Sequence, residues 1–385
     1  MSDGDHAPAK QLKVVGQRPV RPDGVDKVTG RANFGADYHL PGMLTGRIKR
    51  SPHAHAKILK IDTSAAEALP GVKAVVTAAD FNLSGNESVE SGESAEAVRD
   101  VALNCLASGK ALYAGHAVAA IAATSAEIAD EAVDLIKVEY EVLPHVIDVD
   151  EAMQPGAPLL DETMFTQGVT PKPDKPSNIA KKTVMGRGDV ASAFASADHI
   201  IERTYKTAAV HQGYLEPHAC VASFGADGQS LVWCSSQGQF LVRALCSKIL
   251  DMPLSDLKVI PAEIGGGFGG KTTVYLEPVA LALSRKCGRP VKLVMSREDV
   301  FHASGPTSGS SIDVKIAATS DGRITAGEAT LRYQAGAFPG SPAHLGAMTA
   351  FACYDVENLA LTAYDVVSNR PKVAAYRAPG APMSA

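Results

Sequence analysis

Residues 263–273 read "EIGGGFGGKTT", and what this stretch is decides what the chain is. Gly265-x-x-x-x-Gly270-Lys271-Thr272 satisfies the phosphate-binding P-loop pattern, and Gly265-x-Gly267-x-x-Gly270 satisfies the dinucleotide fingerprint. "LKVI" before it reads as a strand, "TVYLEPVALALSRKCG" after it as a helix, and "PVKLVMS" as the next strand, a context that suits both motifs. A P-loop also needs a magnesium-holding carboxylate at the end of a neighbouring apolar strand. Here Glu298 and Asp299 come only after an intervening Ser-Arg. A dinucleotide site wants its acidic residue about 20 positions beyond the glycines, and Glu298 comes later than that. Elementary sterics say more than either pattern. Five glycines around one Phe exceed what a plain turn requires, and removing so many Cβ atoms lets backbone N–H groups approach a large, anionic, polar ligand.

The rest of the sequence narrows the ligand by exclusion. With 385 residues, 45% hydrophobic and 21% charged, the chain suits a globular protein of two domains. A net charge of −5 without a dense Lys/Arg stripe argues against nucleic acid. No apolar run reaches the roughly 20 residues of a membrane-spanning helix, and "MSDGDHAPAK" carries no apolar signal region, so the expected location is the cytoplasm. The six cysteines are scattered without a CxxC pair, which disfavours structural zinc and iron–sulfur clusters and favours small thiols packed in a core.

The pattern is α+β throughout. Residues 1–24 read as a loose arm. From 25 to 152, "GVKAVVTAADF" and "HAVAAIAA" read as buried strands, Thr124-x-x-Glu127 as a capping box opening a helix, and "KVEYEV" as an alternating strand. The acidic stretch 84–100 reads as a solvated loop. Residues 153–177, with five prolines, form a linker. From 178 to 385 a second domain begins, with Asp189 capping "VASAFASA", "HIIERTYKT" as a strand, and "SLVWCSSQGQFLVRALCSKIL" as strand, turn at Gly238, and helix. His53-x-His55 would present two imidazoles on one strand face, but no third ligand is evident, so a structural role is expected. Glu216 and His218 in "LEPH" could form an acid–base pair; packing is the expected role.

Several segments occur in a telling order: "GVDKVTGRANFGADYHLPGMLTGRIKRSPHAHAKI", "YLEPHACVA", "SSQGQF", the glycine loop, "GRPVKLVMSREDVF" and "AAYRAPGAP". Together they resemble the large subunit of the xanthine dehydrogenase / aldehyde oxidase family of molybdenum hydroxylases, over nearly the whole chain. The resemblance implies an α/β hammerhead-like domain at 25–152 and the first molybdopterin-binding domain at 178–385, incomplete at its C-terminus. It implies molybdenum on molybdopterin, in the cytosine dinucleotide form, with no direct protein ligand to the metal. The Gln of the "S-Q-G" turn, here Gln237, would hydrogen-bond an oxo ligand of molybdenum and act in catalysis. Gly267, Phe268, Gly269 and Gly270 would lay backbone against the cofactor, and Arg377 would be a further cofactor neighbour. Electrons would leave to 2Fe-2S and FAD on partner subunits.

Departures from the family pattern bear on substrate. Purine-hydroxylating members carry Glu directly after the loop lysine, where this chain has Thr272; they follow the later Arg with Gly-Phe, where this chain has Ala378-Pro379. Thr272 and Pro379 are therefore candidate pocket residues, and xanthine is disfavoured. Carbon-monoxide dehydrogenases carry Cys after that Arg, where Ala378 stands. An aldehyde or N-heteroaromatic small molecule is the expectation. The chain stops at "APGAPMSA", before a second molybdopterin-binding half that in the family carries the general-base Glu. Truncation is the expectation, a natural split the alternative, and inactivity without that half follows from either. The competing readings are a P-loop or dinucleotide enzyme built on 265–272 and a non-catalytic assembly protein derived from the family.

Overall fold

The computed structural model describes residues 12–85, 87–90 and 95–385. The first half of the expected arm and the middle of the expected 84–100 loop lie outside these residues. The chain divides into two compact units, Met1–Asn33 and Phe34–Ala385. Within the described part of the first, a helix spans Gly24–Thr29 and is closed by Gly30 in the left-handed region at φ 73°.

Among the described residues the second unit carries four sheets, two large ones of seven and five strands and two small ones of three and two. Seven strands run in the order Leu257–Pro261, Ser230–Cys234, Ala219–Phe224, Val291–Val294, Leu44–Arg50, Ala117–Ala123, Val72–Thr77. Strands from both sides of the proline-rich stretch thus share one sheet. Leu44–Arg50 pairs parallel with Val291–Val294 and antiparallel with Ala117–Ala123. The "AVAAIAA" run explains how this sheet is covered twice. All seven residues are buried. Ala119, Ile121 and Ala123 pack with Ala129 and Ala132 of the helix Ala126–Leu135, while Ala120 and Ala122 join the core around the helix Glu277–Cys287. A two-residue period places alternate side chains on opposite faces, and alanine keeps both helices close.

The second sheet runs His199–Thr207, Ser310–Ala318, Ile324–Gly336, Asn358–Val367, Ile179–Arg187. The pairing of Ile324–Gly336 with Asn358–Val367 is parallel, and Ala343–Thr349 is the helix between them. Ala343 and Ala347 of that helix pack with Leu331, Tyr333, Leu361 and Ala363.

Most elements read from the sequence form where expected, including the Asp189 cap on Ser192 N–H at 3.0 Å. Four differ. The helix at 126 is capped by Ser125, whose hydroxyl takes Ile128 N–H at 3.3 Å, while Thr124 is still bound to Gly71 O at the sheet end. Of the expected 84–100 loop, Ser88–Glu90 and Ala95–Ala97 pair as a short antiparallel ribbon, and Val98 opens the helix Val98–Cys105. The helix after the glycine loop starts at Glu277, with a proline in its first turn. His53 and His55 precede the strand Ala56–Asp62 and do not lie on it. His55 is buried with Nδ1 2.7 Å from Pro144 O, and His53 meets the Tyr140 ring edge-on, so the two rings engage different partners. Four of the six cysteines are buried, Cys287 is half-buried and Cys353 is exposed.

One buried histidine sets an acid limit on this core. His116 Nδ1 accepts Leu112 N–H at 3.2 Å and Nε2 donates to Leu103 O at 2.8 Å, so the ring is neutral and stacked on Tyr113. Burial holds its pKa at about 4, below the ordinary 6.5. The unfolded chain therefore takes up this proton first as pH falls. Stability is fully present above pH 6.5 and falls between 6.5 and about 4, by roughly 3 kcal/mol if this site acts alone. Urea midpoints between pH 7 and 4.5 should decline less steeply in His116→Gln than in the wild type; equal slopes would refute the assignment.

Candidate functional site

The glycine loop crosses from the strand Leu257–Pro261 to the helix Glu277–Cys287 with no helical turn directly after Gly270. Phosphate motifs seat their anion on the first amides of a helix that begins at the glycines. Here the helix entry is occupied from within, because the buried Glu277 carboxylate accepts Tyr275 N–H at 3.1 Å and Leu276 N–H at 3.2 Å. Lys271, which a P-loop sends to phosphate, is 1% exposed. Its Nζ donates to Glu216 Oε2 at 2.8 Å and stands 4.9 Å from the Tyr214 ring centroid. Burial pulls the lysine pKa down, and Glu216 opposes that pull. Asp299, a possible magnesium ligand by sequence, instead closes the capping box of Ser296 and pairs with Arg50. Neither nucleotide-binding device is formed.

What the loop does form is a surface of backbone against Gln237. Ser236 Oγ donates to Lys271 O at 3.3 Å and accepts Gly238 N–H at 3.0 Å, which makes a tight turn before the helix Gln239–Ile249. That turn brings Gln237 N–H to Lys271 O at 2.8 Å. The Gln237 side-chain Oε1 accepts Gly269 N–H at 2.9 Å and Lys271 N–H at 3.3 Å. Both partners are donors, so the atom they face must be the amide oxygen. The NH₂ group is left as an exposed donor, without a partner among the described residues. Gly267 permits this approach: a Cβ there would sit 2.5 Å from Gln237 Oε1.

The segment ending in Arg377 closes the other side. Arg377 N–H donates to Phe268 O at 2.9 Å, and Gln212 Nε2 donates to Ala375 O at 2.8 Å. Gly269 adopts φ 103°, and a Cβ there would lie 2.7 Å from Ala375 O. Gly270 N–H turns in to Gly267 O at 2.7 Å, and its own Cβ would meet Gln212 Cδ at 2.9 Å. Phe268, at φ 52°, holds its ring outward with 52% exposed. The Arg377 guanidinium is exposed and has no side-chain partner among the described residues. Ala378 also adopts a left-handed φ, 58°.

Gln237, Gly267, Phe268, Gly269, Gly270 and Arg377 are therefore one constellation. Thr272 is joined to it, its hydroxyl donating to Gly269 O at 2.9 Å. Pro379 is half-buried, and the next residue, Gly380, leads away from the loop, its carbonyl accepting Tyr333 OH at 2.8 Å. Glu216 and His218 go to different partners: Glu216 to Lys271, and buried His218 Nε2 to Tyr214 OH at 2.6 Å. Sequence reading missed three supports of the site, namely the Glu216–Lys271 pair, Gln212, and Gly305, whose missing Cβ leaves room for the Lys372 and Ala374 backbone. Each acts across more than 50 residues, and no local pattern announces it.

The arrangement suits an oxygen-rich anion: an amide donor on Gln237, a free guanidinium on Arg377, and side-chain-free backbone between them. Among the described residues no group of three or more His, Cys, Asp or Glu side chains could hold a metal ion, and no helix is long and apolar enough to cross a membrane.

Comparison with known proteins agrees with this geometry. Residues 171–385 match the family model of the molybdopterin cofactor-binding domain, and residues 29–144 match the aldehyde oxidase and xanthine dehydrogenase a/b hammerhead domain. The chain is 31% identical to the nicotinate dehydrogenase large molybdopterin subunit of Eubacterium barkeri, over 97% of this chain and 84% of that one. It is 33% identical to the carbon monoxide dehydrogenase large chain of Afipia carboxidovorans, over 86% of this chain but 40% of the relative. Quinoline 2-oxidoreductase from Pseudomonas putida 86 superposes with a TM-score of 0.82 at 28% identity, covering 96% of this chain and 46% of that structure. The chain thus spans most of the first relative and less than half of the other two.

Proposed function

The chain belongs to the xanthine dehydrogenase / aldehyde oxidase family of molybdenum hydroxylases, as its molybdopterin-binding part, and from this premise we propose that it oxidises a C–H bond of an aldehyde or N-heteroaromatic molecule. The observation that carries the reading is the Gln237 amide: its oxygen is consumed by Gly269 and Lys271 N–H groups, so only its NH₂ can face a ligand. Gln237 would hold the molybdenum cofactor by that donor, Gly267–Gly270 by close backbone approach, and Arg377 by its guanidinium. When bound, the cofactor supplies the two-electron oxidation, with the oxygen drawn from water. The protein's own part is to donate a hydrogen bond at Gln237, to offset negative charge at Arg377, and to keep side chains out of the cradle through its glycines. The cytosine dinucleotide form of the pterin is part of the proposal.

The substrate class rests on two features. Thr272, in the position where purine hydroxylases carry Glu, spends its hydroxyl on Gly269 O and offers no carboxylate. Ala378 leaves no thiol beside Arg377. Relatives named for nicotinate and quinoline make the heteroaromatic arm the first to assay. A second molybdopterin-binding half would supply the general base, and iron–sulfur and FAD subunits would take the electrons. The cytoplasm is the proposed site of action.

The test is elemental. The chain, purified from molybdate-replete cells together with the products of neighbouring genes, should carry about one molybdenum and one pterin per chain. A well-folded complex without molybdenum would overturn the reading.

A further inference from the structure

Glu216 precedes the strand Ala219–Phe224, and among the described residues its carboxylate binds both ends of the glycine loop. At the first end, Glu216 N–H donates to Gly265 O at 3.1 Å and Gly265 N–H donates back to Glu216 Oε2 at 2.8 Å. A Cβ on Gly265 would lie 2.6 Å from Glu216 Cβ, so glycine is needed for this double closure. At the last end, Lys271 Nζ donates to the same Oε2 at 2.8 Å. The second oxygen, Oε1, accepts Gly35 N–H at 3.2 Å, which ties the carboxylate to a third segment.

Lys271 carries this anchorage to the site. Its backbone brackets Gln237, accepting Gln237 N–H at 2.8 Å and donating to Gln237 Oε1 at 3.3 Å. A side chain pinned below and a main chain pinned beside Gln237 belong to one residue. A buried ion pair is weak evidence for stability, because desolvating two charges offsets their attraction. What such a pair supplies here is a single geometry.

We propose that Glu216 is a positioning residue: by holding Gly265 and Lys271 at a fixed separation it sets the shape of the cofactor-facing loop, and through Lys271 it aims the Gln237 amide outward. This deepens the molybdenum reading above and rests on it.

The test separates loop geometry from bulk stability. In Glu216→Gln, the lysine ammonium loses its counter-charge and the clasp loses one of its three arms. A single amide oxygen can take Gly265 N–H and Lys271 Nζ, but the NH₂ beside it cannot accept Gly35 N–H. Amide hydrogen exchange across 264–272 should rise at least about tenfold, while the strands Ala219–Phe224 and Val291–Val294 stay protected. Molybdenum content should fall with it. Glu216→Gln combined with Lys271→Met removes both charges, so its urea midpoint should return toward the wild type, while loop exchange stays fast and molybdenum stays low. If the double variant recovers loop protection and metal along with stability, the pair only fills space and the proposal falls. It also falls if both variants lose protection everywhere, because the pair then serves the whole core. Exchange is read on the full chain made with and without molybdate. Should the wild type purified with the products of its neighbouring genes never hold molybdenum, the functional reading fails by that result alone, and the exchange contrast still decides the role of Glu216.

Discussion

Gly269→Ala is expected to strip the chain of its molybdenum cofactor while leaving the fold intact. Two costs meet at this position. The backbone sits at φ 103°, where a residue with a Cβ is strained by about 1–3 kcal/mol. The new methyl would also lie 2.7 Å from Ala375 O and 2.8 Å from Ala375 C, which are main-chain atoms that cannot rotate aside. Relief requires the loop and the 374–377 segment to part, which breaks Arg377 N–H to Phe268 O, or Gly269 to swing away from Gln237 Oε1. Either movement dismantles the constellation. Molybdenum and pterin per chain should fall at least about tenfold, with the melting temperature down by a few degrees. Gly228→Ala is the control: φ is 86° and nothing lies within 4 Å of the added methyl, so it costs about 1 kcal/mol and keeps the metal. Full metal content in Gly269→Ala would show that the loop does not receive the cofactor.

The parts of this site that were legible in the sequence are those written contiguously. "SSQGQF" contains the Ser-Gln-Gly turn and the start of its helix, and the glycine loop announces backbone exposure through its missing Cβ atoms. The unread parts depend on what lies across the fold. Lys271 completes a phosphate motif on paper, yet its fate is set by Glu216, 55 positions earlier in sequence. The helix start at 277 follows from a Glu-Pro pair: proline tolerates the first turn, and the Glu277 carboxylate takes the amides just ahead. The apolar spacing of 273–288 does not register that break. Likewise the strand Leu44–Arg50 went unread inside a segment quoted only for the family resemblance, and its place between Val291–Val294 and Ala117–Ala123 is a non-local pairing that period-two patterning leaves open. Alternation says that a strand has two faces, and the alanine run says that both are covered. Neither says by which neighbour.

Gln237 is expected to divide cofactor retention from turnover. Removing one preorganised donor from a reacting centre costs about 10²–10³-fold in kcat in well-studied cases, and Gln237→Ala should lose about that much while the KM of an aldehyde or N-heteroaromatic substrate changes little. Alanine, however, also deprives Gly269 N–H and Lys271 N–H of their acceptor, so a loss could reflect a slack loop. Gln237→Glu separates the two roles. A carboxylate oxygen accepts the same two amides, so the loop amides should exchange as slowly as in the wild type, and the Gly267–Gly270 backbone with the Arg377 guanidinium should keep most of the molybdenum bound despite the lost donor. The outward group becomes a second oxygen, which repels an anionic ligand where the amide donated to it. Turnover in the assembled enzyme, followed with an artificial electron acceptor, should therefore fall at least as far in Gln237→Glu as in Gln237→Ala. Wild-type turnover in the glutamate variant would assign Gln237 to bracing alone, and the chemistry would then have to find its donor elsewhere among the groups that face the loop.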